Sequence, residues 1–218
     1  MPRDLRVLLG GPWYGSKVDA RLAQSIAQFC VGCVPRGVLV DDIVYADGLL
    51  DLSRNRLLAQ AIAAGVDWLV SVDADCSFKD AYPAICDALK RWKRTDVAIV
   101  AAPVKRGDGG WNVLDVDERT MAELPAQAGP VGSVGFGFVC FNTGWYSLNW
   151  PRVERHWAPF FQTVIYPDPA AKWGLGAWGE DYGHCKAVRD KGGKVIVDPA
   201  IRVPHHCVRP GHPAAKDE

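Results

Sequence analysis

Residues 49–75 read LLDLSRNRLLAQAIAAGVDWLVSVDAD: a helical pattern, a glycine stop, and a short apolar run that ends on two aspartates. Gly65 suits the left-handed backbone that closes a helix, and 68–72 is too short and too continuously apolar for a second helix, so it predicts a strand buried on both faces. The same alternation extends outward. Residues 6–9 form a short β-branched and leucine run ended by Gly10, Gly11 and Pro12, 18–29 repeat Leu22, Ile26 and Phe29 at helical spacing, and 37–40 are again extended. Downstream, 80–92 read as helix and 97–102 as strand. Parallel strands need crossover connections, so this order predicts an α/β fold: a single Rossmann-like domain with a mostly parallel central sheet flanked by helices.

The pattern changes after Pro103. Residues 104–130 are rich in Gly and Asp, and 131–141 form an apolar strand-like run containing Gly132, Gly135 and Gly137, where interior glycines predict a close approach of backbone or ligand. Residues 145–178 are irregular, with prolines at 151, 159, 167 and 169, and suggest a lid or an elaborated loop region. A helix over 182–191 and a strand over 194–197 follow. The expected organisation is one domain, 1–218, with a nucleotide-binding half (1–103), an acceptor-binding half (104–206) and a tail (207–218).

Composition narrows the function classes. The chain has 218 residues, 49% of them hydrophobic, and 25 basic residues balance 25 acidic ones, so no strong overall field draws it to nucleic acid or an anionic membrane. No stretch approaches a membrane span and the N-terminus lacks a signal-peptide core, which predicts a soluble, cytoplasmic protein. Seven scattered cysteines favour free thiols; the lone Cys30-x-x-Cys33 lacks a second pair for a zinc site. Nine tryptophans, several of them between 145 and 178, serve either as stacking platforms or as core packing.

Asp73 and Asp75 carry the most chemistry. Two apart in an extended segment, they project to one side, and at the carboxyl end of a buried strand they can face one divalent cation and its phosphates. Capping of the following turn is the alternative. Glu180-Asp181 after Gly179 suit a helix N-terminus. Lys105 and Arg106, directly after a strand, either neutralise a diphosphate or form solvated surface charge.

Three segments, LSRNRLLAQAIAAGVDWLVSVDADCSF (52–78), VGFGFVCFN (134–142) and WGEDYGHCKAVRDKGGKVIVDPAIRVPHH (178–206), resemble the metal-dependent, nucleotide-sugar-using glycosyltransferases of the GT-A fold, over a little under a third of the chain. The resemblance implies that Asp73 contacts the donor ribose or the metal and that Asp75 ligates Mn2+ or Mg2+ on the diphosphate. It also implies that Arg54 and Asn55 help hold the nucleotide and that Tyr14 stacks on the donor base. Gly135 and Gly137 would pass close to the donor sugar, Asp181 would be the general base, and Glu180 would bind a hydroxyl. A histidine is often presented to the same metal, which points to His205 ahead of His206; imidazole beside carboxylate favours manganese or magnesium over calcium.

The compact arrangement of RNR, DAD and GED is similar to enzymes of bacteriophage genomes, which implies hydroxymethylated pyrimidine in phage DNA as an acceptor and the host cytoplasm as the location. The basic run Lys90, Arg91, Lys93, Arg94 could face DNA phosphates or be a solvated helix end. A saccharide or small-molecule acceptor, and a nucleotide- or carbohydrate-binding module without catalysis, are the alternatives. A nucleotidyltransferase fits poorly, because GGPWYGSK lacks the glycine- and lysine/arginine-rich loop such enzymes place after the first strand. Oligomeric state is not expressed in the sequence.

Overall fold

The computed structural model describes residues 4–206 apart from 17, 94, 106–109, 154–155, 158 and 168–174. Arg94, Arg106, Trp173, Cys207 and the tail 207–218 therefore lie outside the described residues. In chain order the first part alternates β1 (Leu5–Gly11), α1 (Ala20–Gly32), β2 (Val38–Tyr45), α2 (Leu50–Ala64), β3 (Trp68–Val72), α3 (Tyr82–Trp92) and β4 (Val97–Ala101). The second part runs through β5 (Val113–Leu114), β6 (Gly129–Pro130), β7 (Ser133–Val134), β8 (Phe138–Asn142), α4 (Thr143–Asn149), β9 (Arg152–Val153), β10 (His156–Trp157), β11 (Val164–Pro167), β12 (Leu175–Trp178), α5 (Glu180–Asp190) and β13 (Lys194–Val197). Seven strands form the central sheet in the order β2-β1-β3-β8-β4-β13-β6; β1, β2, β3, β4 and β13 are parallel, and β8 and β6 run against them.

Period-two alternation explains why the strands are apolar throughout. Val7, Leu9, Val70, Val72, Val100 and Cys140 face a core shared with Leu22 and Phe29 of α1 and Ile85 and Leu89 of α3. Leu8, Leu69, Ile99, Ala101, Val139 and Phe141 face the other core, shared with Leu57 and Leu58 of α2, Tyr146 of α4 and Val188 of α5. Both faces are covered, as expected of a largely parallel sheet. The helix ends follow the side-chain chemistry: Asp19 caps α1 by accepting from the Arg21 N–H at 2.8 Å, and Gly65, at φ 64°, closes α2.

Two glycines set the mouth of the sheet. A Cβ at Gly10 would lie 2.3 Å from the Val44 carbonyl oxygen, and one at Gly11 would lie 2.0 Å from the Val72 oxygen and 2.2 Å from Trp13 Nε1. Trp13 folds back there and donates Nε1–H to the Val72 oxygen at 2.9 Å, which pins the loop after β1 to the carboxyl end of β3.

Several elements depart from the sequence-based expectation. The apolar run 131–141 is not one strand: a turn at 136–137 separates β7, which pairs with β5, from β8 in the central sheet. The irregular stretch 145–178 begins inside α4, whose cap is Asn142, and Trp145 and Trp150 are core residues. Helix α5 starts at Glu180 rather than 182, and β2 extends to Tyr45 as a half-exposed edge strand. Among the described residues no helix is long and apolar enough to cross a membrane.

Candidate active site

Strand β3 delivers its acidic pair into a turn. The Asp73 N–H donates to the Gly137 oxygen at 2.9 Å and the Cys76 N–H to the Asp73 oxygen at 3.1 Å, so the segment curls at once. Extended-strand projection to one side is thus not what relates Asp73 to Asp75; the turn gives them different partners. Asp73 Oδ1 accepts from Arg54 Nη2 at 2.9 Å, and the other terminal nitrogen of Arg54 pairs with Glu180. Arg54 is only 3% exposed, lies over the Phe136 ring, and also donates to the Phe136 oxygen at 3.3 Å. The α2 guanidinium, forked between a carboxylate just after β3 and one on α5, ties three elements together. Burial pushes the Asp73 carboxyl above its ordinary range, with Arg54 opposing it.

Asp75 faces His205, whose Nε2 lies 3.1 Å from Asp75 Oδ2. The hydrogen bond to Asp75 raises the imidazole above its ordinary pKa. The approach is built by backbone: Cys76 and His205 form an isolated antiparallel bridge, the Ser77 N–H donates to the Pro204 oxygen at 3.0 Å, and the His206 N–H donates to the Asp75 oxygen at 2.7 Å. His206 turns instead to Ser77, with Nε2 at 2.8 Å from Oγ. One ligand atom each from Asp75, Cys76 and His205 fall within 4.8 Å of one another. A carboxylate and an imidazole side by side suit a borderline divalent cation.

Asp181, half-buried in the first turn of α5, accepts from its own neighbour's backbone, Tyr182 N–H, at 2.7 Å. Burial first, and the Glu180 carboxylate second, push its pKa up to about 6. A Cβ at Gly135 would stand 2.8 Å from Asn112 Nδ2 and 3.3 Å from Asp181 Oδ2, so this glycine is required by the approach of protein groups. Asn112 braces that corner, accepting from Val104 N–H at 2.7 Å and donating to the Gly135 oxygen at 3.1 Å. Gly137 lies against Val104 and Cys76. Asp73, Asp75, Glu180 and Asp181 together outnumber Arg54 and His205, so a bare diphosphate would be repelled here unless a divalent cation bridged it.

Asn55 has other employment than a nucleotide. Its Nδ2 donates to the Asp51 and Phe161 oxygens at 2.8 and 3.0 Å, and its Oδ1 accepts from the Phe160 and Phe161 N–H groups at 2.6 and 3.2 Å. All four of its hydrogen-bonding positions are filled. Sequence reasoning missed His184, which grips the same segment from α5. Its Nδ1 lies 2.6 Å from the Phe160 oxygen and its Nε2 2.6 Å from the Tyr146 hydroxyl. A carbonyl only accepts, so Nδ1 carries the proton and Nε2 accepts from Tyr146. Phe161 and Tyr146 stack on the ring, and burial drives its pKa down to about 3. The available signal was its place in the apolar stripe of α5 beside Cys185 and Val188.

Tyr14 stands 58% exposed just after β1, and Lys105 stands exposed shortly after β4, bridged through its backbone to Trp111. Of the basic run, Lys93 pairs with Asp67 at 3.1 Å, ahead of β3. That is the amino edge of the sheet, opposite the acidic turn. Two adjoining shallow hollows, about 450 and 310 Å³, open at that edge too, beside Lys93 and Asn142.

No protein-family model matches the chain, and no curated protein matches it in sequence. Among solved structures, A197 from STIV aligns over 95% of this chain and 99% of its own, with 16% identity and a TM-score of 0.55. The structure of GalNAc-T7 with UDP, GalNAc and Mn2+ aligns over 94% of this chain at 13% identity and a TM-score of 0.57, and this chain spans 44% of the GalNAc-T7 chain. The chain has a GT-A-like fold. At these identities the likeness is one of architecture. Within the GT-A-like sheet the acidic turn after β3, Tyr14 after β1 and Lys105 after β4 all leave the carboxyl edge, where open α/β sheets bind ligands.

Proposed function

We propose that this protein is a metal-dependent glycosyltransferase that moves a sugar from a nucleotide-sugar donor to an acceptor hydroxyl. The observation that carries the proposal is the meeting of Asp75 and His205 at 3.1 Å on the carboxyl edge of the sheet, with Asp73, Glu180 and Asp181 on neighbouring elements of that edge. The solved GalNAc-T7 structure, which holds UDP, GalNAc and Mn2+, supports a donor and a metal of this kind. Asp75 and His205 would hold Mn2+ or Mg2+, and the bound ion supplies charge neutralisation to the departing diphosphate. Asp73, already fixed by Arg54, faces the ion or the donor ribose. Tyr14 offers its exposed ring to the donor base, and Lys105 adds positive charge beside the leaving group.

Asp181 is the proposed general base. With a pKa of about 6 it is ionised at neutral pH yet basic enough to take the proton of an attacking hydroxyl. Glu180 is committed to Arg54, which leaves it a positioning role. For the acceptor, hydroxymethylated pyrimidine in phage DNA is weighed against a saccharide or other small hydroxyl compound. Lys93, central to the basic run that could face DNA phosphates, pairs at the amino edge, a strand length of roughly 17 Å away from the acidic turn. That placement favours the compact acceptor.

The test is incubation of the protein and Mn2+ with labelled nucleotide sugars, offering hydroxymethylated DNA or free saccharides. Transfer that Asp181→Asn abolishes while donor binding persists supports the proposal. A wild type that binds a donor but never hydrolyses or transfers it would make the protein a binding module instead, and label appearing on DNA alone would reverse the acceptor preference.

A further inference from the structure

We infer that the pocket around Asp75 and His205 is a mixed oxygen, nitrogen and sulfur site that takes a thiophilic divalent cation, with Cys76 as its third ligand. The inference rests on the proposed metal role of Asp75 and His205 and adds to it a ligand and a metal preference. Cys76 Sγ is 4.0 Å from Asp75 Oδ1, His205 Nε2 is 3.1 Å from Asp75 Oδ2, and one donor atom from each residue lies within 4.8 Å of the others. Tetrahedral zinc, with bonds of about 2.0 Å to oxygen or nitrogen and 2.3 Å to sulfur, needs ligand atoms roughly 3.3–3.8 Å apart. From a spread of up to 4.8 Å, that spacing is a closure of about 1 Å.

Two features of the backbone hold the three residues there. The Cys76–His205 bridge, with its flanking Ser77–Pro204 and His206–Asp75 hydrogen bonds, locks the histidine against the turn that carries the other two. A Cβ at position 137 would come within 3.3 Å of the sulfur and 3.2 Å of the Val104 side chain, so Gly137 lets the buried Cys76 sit where it does beside Val104. Oxygen and imidazole accept manganese and magnesium, whereas an added thiolate tilts the set towards zinc, cobalt and cadmium. Binding forms the metal–sulfur bond and releases the thiol proton to solvent. Zinc would therefore compete with manganese for one place.

Cobalt titration of the full chain tests this. Wild type should develop the near-ultraviolet thiolate-to-cobalt absorption, and Cys76→Ser should abolish it, weakening cobalt at least about tenfold while manganese affinity stays within about threefold. Cys30→Ser and Cys207→Ser should keep the band, which separates this site from those two thiols. Where Cys76→Ser fails to fold, His205→Gln must weaken the band at fixed cobalt. Cobalt binding without a thiolate band, or a band that survives Cys76→Ser, overturns the inference and leaves Asp75 and His205 as ligands of a harder ion. A wild type that binds no divalent cation overturns this inference and the metal-dependent function together.

Discussion

Asp181 is a residue whose burial opposes the fold and favours the proposed chemistry. Its folded pKa, about 6, lies above the ordinary 3.8, so between those values the folded chain binds more protons than the unfolded one. Stability from this group is therefore lost as pH rises through that window, and at neutral pH the ionised carboxylate is a penalty. Asp181→Asn should raise neutral-pH stability by about 1 kcal/mol, a figure discounted for partial exposure, and flatten the pH dependence between about 4 and 6. The same substitution should lower transfer by a factor of about 100 to 10,000, while wild-type transfer falls as pH drops through 6 and the base becomes protonated. Urea denaturation and a pH–rate profile check both halves; an Asn variant that is less stable and still transfers sugar would refute the assignment. The carboxylate itself was legible in the GED string. What Arg54 does was not, because its two acidic partners lie 19 and 126 residues away and no local pattern announces a buried fork of that kind. Asn55, its neighbour in the RNR string, turned out to be saturated by backbone groups for the same reason: spacing shows which residues are adjacent, not which way each points.

At the scale of elements, α2 and α5 are joined through the short segment at Phe160–Phe161, held by Asn55 from one side and His184 from the other. Those two helices also carry Arg54 and Glu180, so the clamp braces the ion pair at the acidic edge. His184 must stay neutral to fill it. Its folded pKa, about 3, lies below the ordinary 6.5, so the unfolded chain binds the extra proton between those values. This stabilisation is complete above about 6.5 and is lost as pH falls towards 3. His184→Gln, which keeps hydrogen-bonding groups but does not titrate, should be less stable than wild type at pH 7, and should lose less stability than wild type between pH 6.5 and 4. Equal acid sensitivity in the two proteins, measured by denaturant midpoints, would show that the clamp does not titrate as argued. The alternating first hundred residues were readable because α1 and α3 carry apolar residues at helical spacing, β1, β3 and β4 are short apolar runs, and Gly11, Asp19, Gly65 and Asp73 stand at element ends. The region from 131 to 178 was not: Gly135 and Gly137 interrupt an apolar run without changing its hydrophobicity, and α4 is too short for a helical period to declare itself.

Across the whole molecule, the antiparallel β8, inserted between β3 and β4, joins the two halves of the chain in one sheet and brings the turn after β3 under the segment that follows β13. The stretch Pro204 to His206 then lies across residues 75–77 like a partial extra strand. A cation held by Asp75 and His205 would staple that segment to the sheet, and by mass action an ion at about a hundred times its dissociation constant adds about 2.7 kcal/mol to stability. Manganese should therefore raise the melting temperature of the full chain and protect the backbone amides of Ser77 and His206 from hydrogen exchange. A chain ending at Val203 retains all seven strands of the central sheet and both cores, so its far-ultraviolet circular dichroism should stay close to that of the full chain. Its melting temperature should no longer respond to manganese, because one of the two ligands has gone. Replacing His205 by Gln in the full chain should have the same effect without shortening it. A truncated chain that manganese still stabilises would place the ion elsewhere, and with it the chemistry argued for the carboxyl edge.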